Sequence, residues 1–225
     1  HKTGQANDAA ERFARLEQWA RQRFPDLKEV EFTWSGQVME TVDGLAFIGK
    51  NPMDENNVFI ATGDSGMGMT HGVIAGMLLS ELIQGRDHPW KAIYEPARKP
   101  LKAIWNYAKE QVNVAVQYGS WLTGGDVRQE QDIACGEGAV LRHGLGKQAV
   151  YRDEQGQLHR FSASCPHLGC VVQWNRGAST WDCPCHGSRF DQEGQLLHGP
   201  ANANLQRVKE DNDDDDNRKR EERLD

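Results

Sequence analysis

The apolar positions follow two different patterns, which change over near residue 128. Over 8–24, Phe13, Leu16, Trp19 and Ala20 recur at helical spacing, Asp8 and Glu11 form a capping-box pattern, and Pro25 follows the end. That combination predicts an amphipathic helix. Val30, Phe32 and Trp34 alternate with polar residues, the period of a half-buried strand, closed by Ser35-Gly36. Residues 38–42 and 45–48 flank Asp43-Gly44, a hairpin-turn dipeptide. The apolar run 58–61 is typical of a buried strand. It leads into Thr62-Gly63-Asp64-Ser65-Gly66-Met67-Gly68-Met69-Thr70 and then a helix to about residue 84, stopped by Gly85.

Residues 86–127 read as a connector. Asp87-His88-Pro89-Trp90, Glu95-Pro96 and Lys99-Pro100 are breakers, a helix-like stretch covers 101–110, and Gly124-Gly125 reads as a hinge. From 129 onward short strand-like runs (139–141, 148–152, 158–162, 171–174, 179–181, 196–197) alternate with glycine-containing turns, a small all-β pattern. No internal repeat is found.

Charge and composition narrow the picture. Apolar residues make up 38% of the chain, low enough to suggest linker, tail or incomplete domain. The net charge is −7; the tail 209–225 holds nine acids against five bases, which leaves −3 for the rest. Such a tail is too charged to bury and is expected to be disordered. Nucleic acid is excluded as a partner, because phosphate binding needs a basic footprint. The longest apolar region, 73–83, is broken by Gly76, Ser80 and Glu81, so no membrane span is predicted. No signal peptide is visible at a start that reads His1.

The strand, glycine-rich loop and helix at 58–84 would present free N–H groups at a helix N-terminus, where anionic or polar cofactor oxygens bind. Equally, the glycines could serve only tight strand-to-helix packing. Cysteine usage is more telling. Four of five cysteines fall within 21 residues, and the fifth, Cys135, is most simply a small buried apolar residue. The cluster reads Cys165-Pro166-His167-Leu168-Gly169-Cys170 and Cys183-Pro184-Cys185-His186-Gly187-Ser188: Cys-x-His, fifteen residues, Cys-x-x-His. Zinc could use two cysteines and two histidines, but zinc-finger spacing pairs like with like. A disulfide-only explanation leaves both histidines without a role. Here each loop offers one thiolate and one imidazole, which suits a [2Fe–2S] cluster whose two irons have different ligands.

Both loops resemble those of the Rieske family, in the branch of cytochrome bc complexes and related oxidases, over roughly residues 132–208. Gly194, Gly199-Pro200-Ala201 and Leu205 belong to the resemblance. It implies that Cys165 and Cys183 bind one iron and His167 and His186 the other, with imidazole edges facing solvent or a partner. It further implies a Cys170–Cys185 disulfide joining the loops and a hydrogen bond from Ser188 to a bridging sulfide. High-potential members carry a tyrosine where this chain has Phe190, which cannot donate to sulfur. A potential mid-way in the Rieske span of about −150 to +300 mV is therefore expected.

Thr33-Trp34-Ser35-Gly36 through Asp43-Gly44, with 58–85, resembles the C-terminal end of FAD-dependent amine and amino-acid oxidoreductases, the D-amino-acid oxidase and glycine oxidase group. The resemblance implies an Ala61-Thr62-Gly63 strand exit, with Gly63, Gly66, Met67, Gly68, Met69 and Thr70 on the flavin side of the FAD site. Members with an appended Rieske domain share the order oxidoreductase, connector, cluster domain. That family opens its nucleotide-binding half with Gly-x-Gly-x-x-Gly after a strand; this chain has no such segment. It is therefore expected to be the end of a longer protein, lacking the N-terminal FAD and substrate half, and not catalytically complete alone. His71 and Asp64 lie near the loop, but a histidine in a helix's first turn is more often packing or capping, so no catalytic residue is assigned. The front strands and helix could instead form a self-contained helix-on-sheet domain.

The expected architecture is mixed: a partial α/β (α+β) FAD-oxidoreductase segment at 1–96, a helical linker at 97–128, an all-β Rieske domain at 129–208 and the acidic tail at 209–225. The expected function is electron transfer through the cluster, within a flavin-dependent oxidoreductase acting on amines or amino acids, with a protein electron donor or acceptor. Two rivals are a stand-alone Rieske ferredoxin-like carrier fused to a partner-binding domain and a structural or redox-sensing cluster. A disulfide is an extracytoplasmic sign, but the FAD resemblance implies a cytoplasmic location.

Overall fold

The structure, a computed structural model, describes residues 2–5, 8–99 and 104–208. It divides into two units, Gly36–Val112 and the combination of His1–Ser35 with Asn113–Asp225. The helix predicted at 8–24 is α1 (Ala9–Arg23). Asp8 stands at its N-cap position but makes no cap bond; its carboxylate pairs with Arg12 at 2.6 Å instead. The strand expected at 30–34 does not form. Its residues lie exposed, with Phe32 and Trp34 about four-fifths accessible. An alternating pattern specifies which face to bury, but no strand pairs with this one among the described residues.

In the unit Gly36–Val112, β1 (Phe47–Lys50) pairs antiparallel with β2 (Phe59–Thr62), Ile48 opposite Ala61. Residues 38–42 are not a strand, although the Asp43-Gly44 turn is present, with Gly44 in the left-handed region and its N–H on Thr41. The run 58–61 is also less buried than expected, because a two-stranded sheet is covered on one face only; Ala61 and Thr62 are exposed. That cover is α2 (Gly68–Ile83). Its stripe Ile74, Ala75, Leu78, Leu79 and Leu82 packs on Ala46 and Ile48, joined by Tyr94 of α3 (Lys91–Tyr94). The α2 terminus is closed by the two bonds of a Schellman motif: Gly85 N–H to Leu82 O and Arg86 N–H to Glu81 O, at 3.0 and 2.9 Å.

Helix α4 (Ile104–Tyr118) overlaps the helix expected at 101–110 and runs beyond it; residues 101–103 lie outside the described residues. Gly124-Gly125 is not a free hinge. The Gly124 carbonyl accepts from Lys147 at 2.6 Å, and a Cβ on Gly125 would meet the Val140 carbonyl at 2.5 Å.

The cluster domain is two small antiparallel sheets. One is β3 (Glu137–His143), β4 (Gly146–Arg152) and β5 (Leu158–Ser162); the other is β6 (Gln173–Asn175), β7 (Thr180–Asp182), β8 (Arg189–Phe190) and β9 (Leu196–His198). Val140, Ala149 and Phe161 from the first sheet meet Trp181 and Phe190 from the second in one buried core that also contains Cys165 and Cys183. Gly138 lies where the sheets touch: a Cβ there would sit 2.7 Å from the Trp174 ring. Cys135, expected to be buried, is exposed; nearby Ile133 fills the inward position. The tail 209–225 lies outside the described residues.

Candidate metal centre

Two loops of matching construction carry the cysteine and histidine motifs, the first between β5 and β6 and the second between β7 and β8. In the first, Cys165 N–H bonds Cys170 O and Gly169 N–H bonds Cys165 O, both at 2.8 Å. In the second, Cys183 N–H bonds Ser188 O at 2.7 Å and Gly187 N–H bonds Cys183 O at 3.0 Å. The fourth residue after each cysteine must take φ near +80°, and both positions are glycine, the residue without a Cβ penalty there. Cys170 and Cys185 join the loops in a disulfide.

The two remaining thiols, Cys165 and Cys183, are buried at 2% and 1% exposure and lie in hydrogen-bond contact. That bond draws the Cys165 thiol down to about 6. The same bond, helped by burial, pushes Cys183 far up. A cation bound between the two sulfurs would displace their protons. The sulfurs of Cys170, Cys183 and Cys185 also lie within 4.8 Å of one another. Cys170 and Cys185 are joined in the disulfide, which leaves Cys165 and Cys183 as the free thiols of the two loops.

The His167 and His186 rings meet edge-to-face with centroids 4.8 Å apart. His167 Nδ1 is buried and has no hydrogen-bond partner among the described residues. An imidazole nitrogen left without a partner beside a second imidazole and two thiols is what a ligand nitrogen requires, so the donor set fits a mixed thiolate–imidazole centre. Burial pushes His186 toward the neutral form, helped by the neighbouring His167; a neutral ring can ligate. Ser188 is fully buried and accepts the Ala201 N–H at 2.9 Å, and its hydroxyl helps to lower the Cys165 thiol. Ala201, which follows Pro200, is itself buried.

Sequence reasoning missed the residues that support the second loop. Asp182, on β7 beside Cys183, is buried and accepts from Thr180, from Asn175 and twice from Arg189, at 2.8–3.0 Å. Gln5 donates to the Pro184 carbonyl at 2.8 Å. A two-residue strand such as β8 shows no period, and a charge in a core is visible only once its partner is found.

In the unit Gly36–Val112 a cleft of about 400 Å³ is lined by Gly63, Gly66 and Gly68 together with Asp64 and His71. Met67, Met69 and Thr70 lie exposed at the start of α2 and do not line it. Gly63 and Gly66 have φ of +70° and +80°. A Cβ on Gly63 would strike Thr41 at 2.5 Å, and one on Gly68 would strike the Asp64 carboxylate at 2.8 Å, so close packing uses these glycines. Asp64 also accepts the Gly66 N–H at 3.2 Å. A carboxylate already stands at the α2 N-terminus, so the cleft suits an uncharged ring or carbonyl oxygen better than a phosphate. His71 bonds the Asp64 carbonyl at 3.1 Å and packs edge-on against Tyr94. A larger groove, about 470 Å³, runs along α1 alone and gathers no reactive groups.

The family model for the Rieske [2Fe-2S] domain matches residues 123–209, and that for FAD dependent oxidoreductases matches residues 1–82. The cytochrome b6-f complex iron-sulfur subunit of Prochlorococcus marinus (strain NATL1A) is 30% identical over 141 residues, covering 61% of this chain and 71% of that protein. The chain belongs to the Rieske [2Fe–2S] family. YhfW of Bacillus subtilis (strain 168), described as a Rieske 2Fe-2S iron-sulfur protein, is 35% identical over 212 residues. That match covers 92% of this chain but 41% of YhfW, so the Rieske chain spans about two fifths of that relative's length. The cyanobacterial plasma membrane Rieske protein PetC3 from Synechocystis PCC 6803 is 32% identical over 33% of this chain and 75% of that one, with a TM-score of 0.30. The Rieske domain takes a [2Fe–2S] cluster, and the FAD-oxidoreductase domain implies FAD. Among the described residues no helix is long and apolar enough to cross a membrane.

Proposed function

We propose that Cys165, His167, Cys183 and His186 hold the cluster and that the chain passes single electrons through it as part of a flavin-dependent oxidoreductase acting on amines or amino acids. One observation carries the ligand assignment: two buried thiols in contact and two imidazoles 4.8 Å apart converge from twin loops, with His167 Nδ1 left without a partner. When bound, the cluster supplies a one-electron couple. The chain's own residues keep water from the sulfurs, donate from Ser188 and leave Leu168, beside His167, 58% exposed at the edge where a partner protein would approach. The match to FAD dependent oxidoreductases and the open cleft beside Gly63, Gly66 and Gly68 support the flavin part of this reading. That reading carries with it a cytoplasmic location, which cell fractionation tests.

Electron paramagnetic resonance of the dithionite-reduced protein, with visible absorption, tests it. A rhombic [2Fe–2S] signal is expected; a silent spectrum with stoichiometric zinc would leave a structural metal module. Added FAD tests the flavin part: binding with a yellow spectrum is expected. The cluster signal without any FAD binding by YhfW-length protein would favour a plain carrier fused to a partner-binding domain.

A further inference from the structure

We propose that Tyr118 and Trp121 are positioning residues for the first cluster loop, acting on it through the carbonyls of Leu168 and Gly169. This rests on the reading of Cys165 and His167 as ligands. α4 ends at Tyr118 and continues into a 3-10 turn, Gly119–Leu122. The Tyr118 hydroxyl donates to the Leu168 carbonyl, and the Trp121 indole N–H donates to the Gly169 carbonyl at 2.9 Å. Both rings pack on the buried core that contains Cys165 and Cys170.

The two loops differ in how their ends are held. The second sits between β7 and β8, and the buried Asp182–Arg189 pair ties those strands together. The first is flanked by an isolated bridge, Ser164 to Val171. Leu168 points outward at 58% exposure and gives the loop no packing of its own. The carbonyls after His167 are therefore tied sideways by the two aromatic donors, where the second loop has strands.

A tie fixes a loop only if its other end is fixed, and here it is. Arg142 donates to the carbonyls of Trp121 and Thr123 at 2.9 and 3.1 Å. Buried Lys147, opposite Arg142 in the β3–β4 register, donates to Thr123 Oγ1 and the Gly124 carbonyl. Asp126 exchanges two bonds with Val140 of β3, at 2.7 and 2.9 Å. The segment from Trp121 to Asp126 is a strap fastened along the first sheet, and its aromatic end sets where the His167 loop stands.

Trp121→Phe and Tyr118→Phe keep a ring and remove the donor; Leu122→Ala, at a position 89% exposed in the same turn, is the control. Each would be made in the full cluster-loaded chain. Iron content, line positions of the reduced paramagnetic spectrum, midpoint potential and rate of iron loss to a chelator would be compared. The expected result is normal iron content with shifted lines and potential, and iron loss roughly five- to tenfold faster for each bond removed; Leu122→Ala should match wild type. Wild-type lines, potential and loss rate in both variants, or a lower melting temperature alone, would overturn the proposal. If Trp121→Phe does not retain the cluster, Tyr118→Phe decides by the same readings. A wild-type protein without a [2Fe–2S] signal would refute the cluster reading instead.

Discussion

Phe190 is fully buried, pairs across to Trp181 and shares a core with Cys165 and Cys183. In so dry a surrounding each hydrogen bond to sulfur counts for more than it would in water. Ser188 has a hydroxyl that can donate one, and phenylalanine has no donor at all. A donor stabilises the reduced, more negative cluster, so Phe190→Tyr is expected to raise the midpoint potential by on the order of 50 mV, the equivalent of one hydrogen bond in a one-electron couple. A redox titration followed by paramagnetic resonance checks this; an unchanged potential with an intact cluster would refute it. Cys135 illustrates the opposite outcome at this scale. Residue type predicted burial, but the position faces solvent because Ile133 takes the inward place.

The turn between the residue-38 segment and β1 shows how an element is secured from far along the chain. Asp43 accepts both branches of the Arg98 guanidinium, at 2.7 and 2.9 Å, while Arg98 also donates to the carbonyls of Leu45 and Ala46 and lies over the Phe47 ring. The Arg98 hydrogen bond holds the Asp43 carboxyl at about 2, below its ordinary 3.8. A depressed acid contributes stability that is fully present above the ordinary value and is lost as pH falls through the lowered one. The stability difference between wild type and Arg98→Met should therefore be constant from neutral pH down to about 4 and shrink between about 4 and 2. Thermal unfolding across that range measures it; a difference independent of pH would show that Arg98 acts by packing on Phe47 alone.

At the scale of the whole molecule, two units with separate buried cores should unfold in two steps. Arg189→Leu leaves Asp182, whose side chain is 2% exposed, without its cation, at a cost of about 3–5 kcal/mol. Calorimetry should show the cluster-domain transition lowered and the other unchanged; a joint shift would mean one cooperative unit. What the sequence determined by itself was local. The Cys-x-His and Cys-x-x-His loops, the glycine stop after α2 and the strands at 148–152 and 158–162 each depend on residues a few positions apart, and all appear where the pattern put them. The tertiary structure decided what depends on distant partners. Residues 30–34 alternate correctly but find no pairing strand among the described residues, since a strand needs a neighbour. Gly124-Gly125 has hinge composition but is pinned, because Lys147 and Val140 happen to reach it. Arg98 lies 55 residues from Asp43, and Trp121 lies 48 from Gly169. No period or spacing encodes such pairs; they exist only once burial has brought the donors and carbonyls together, where leaving either unpaired would cost more than pairing them.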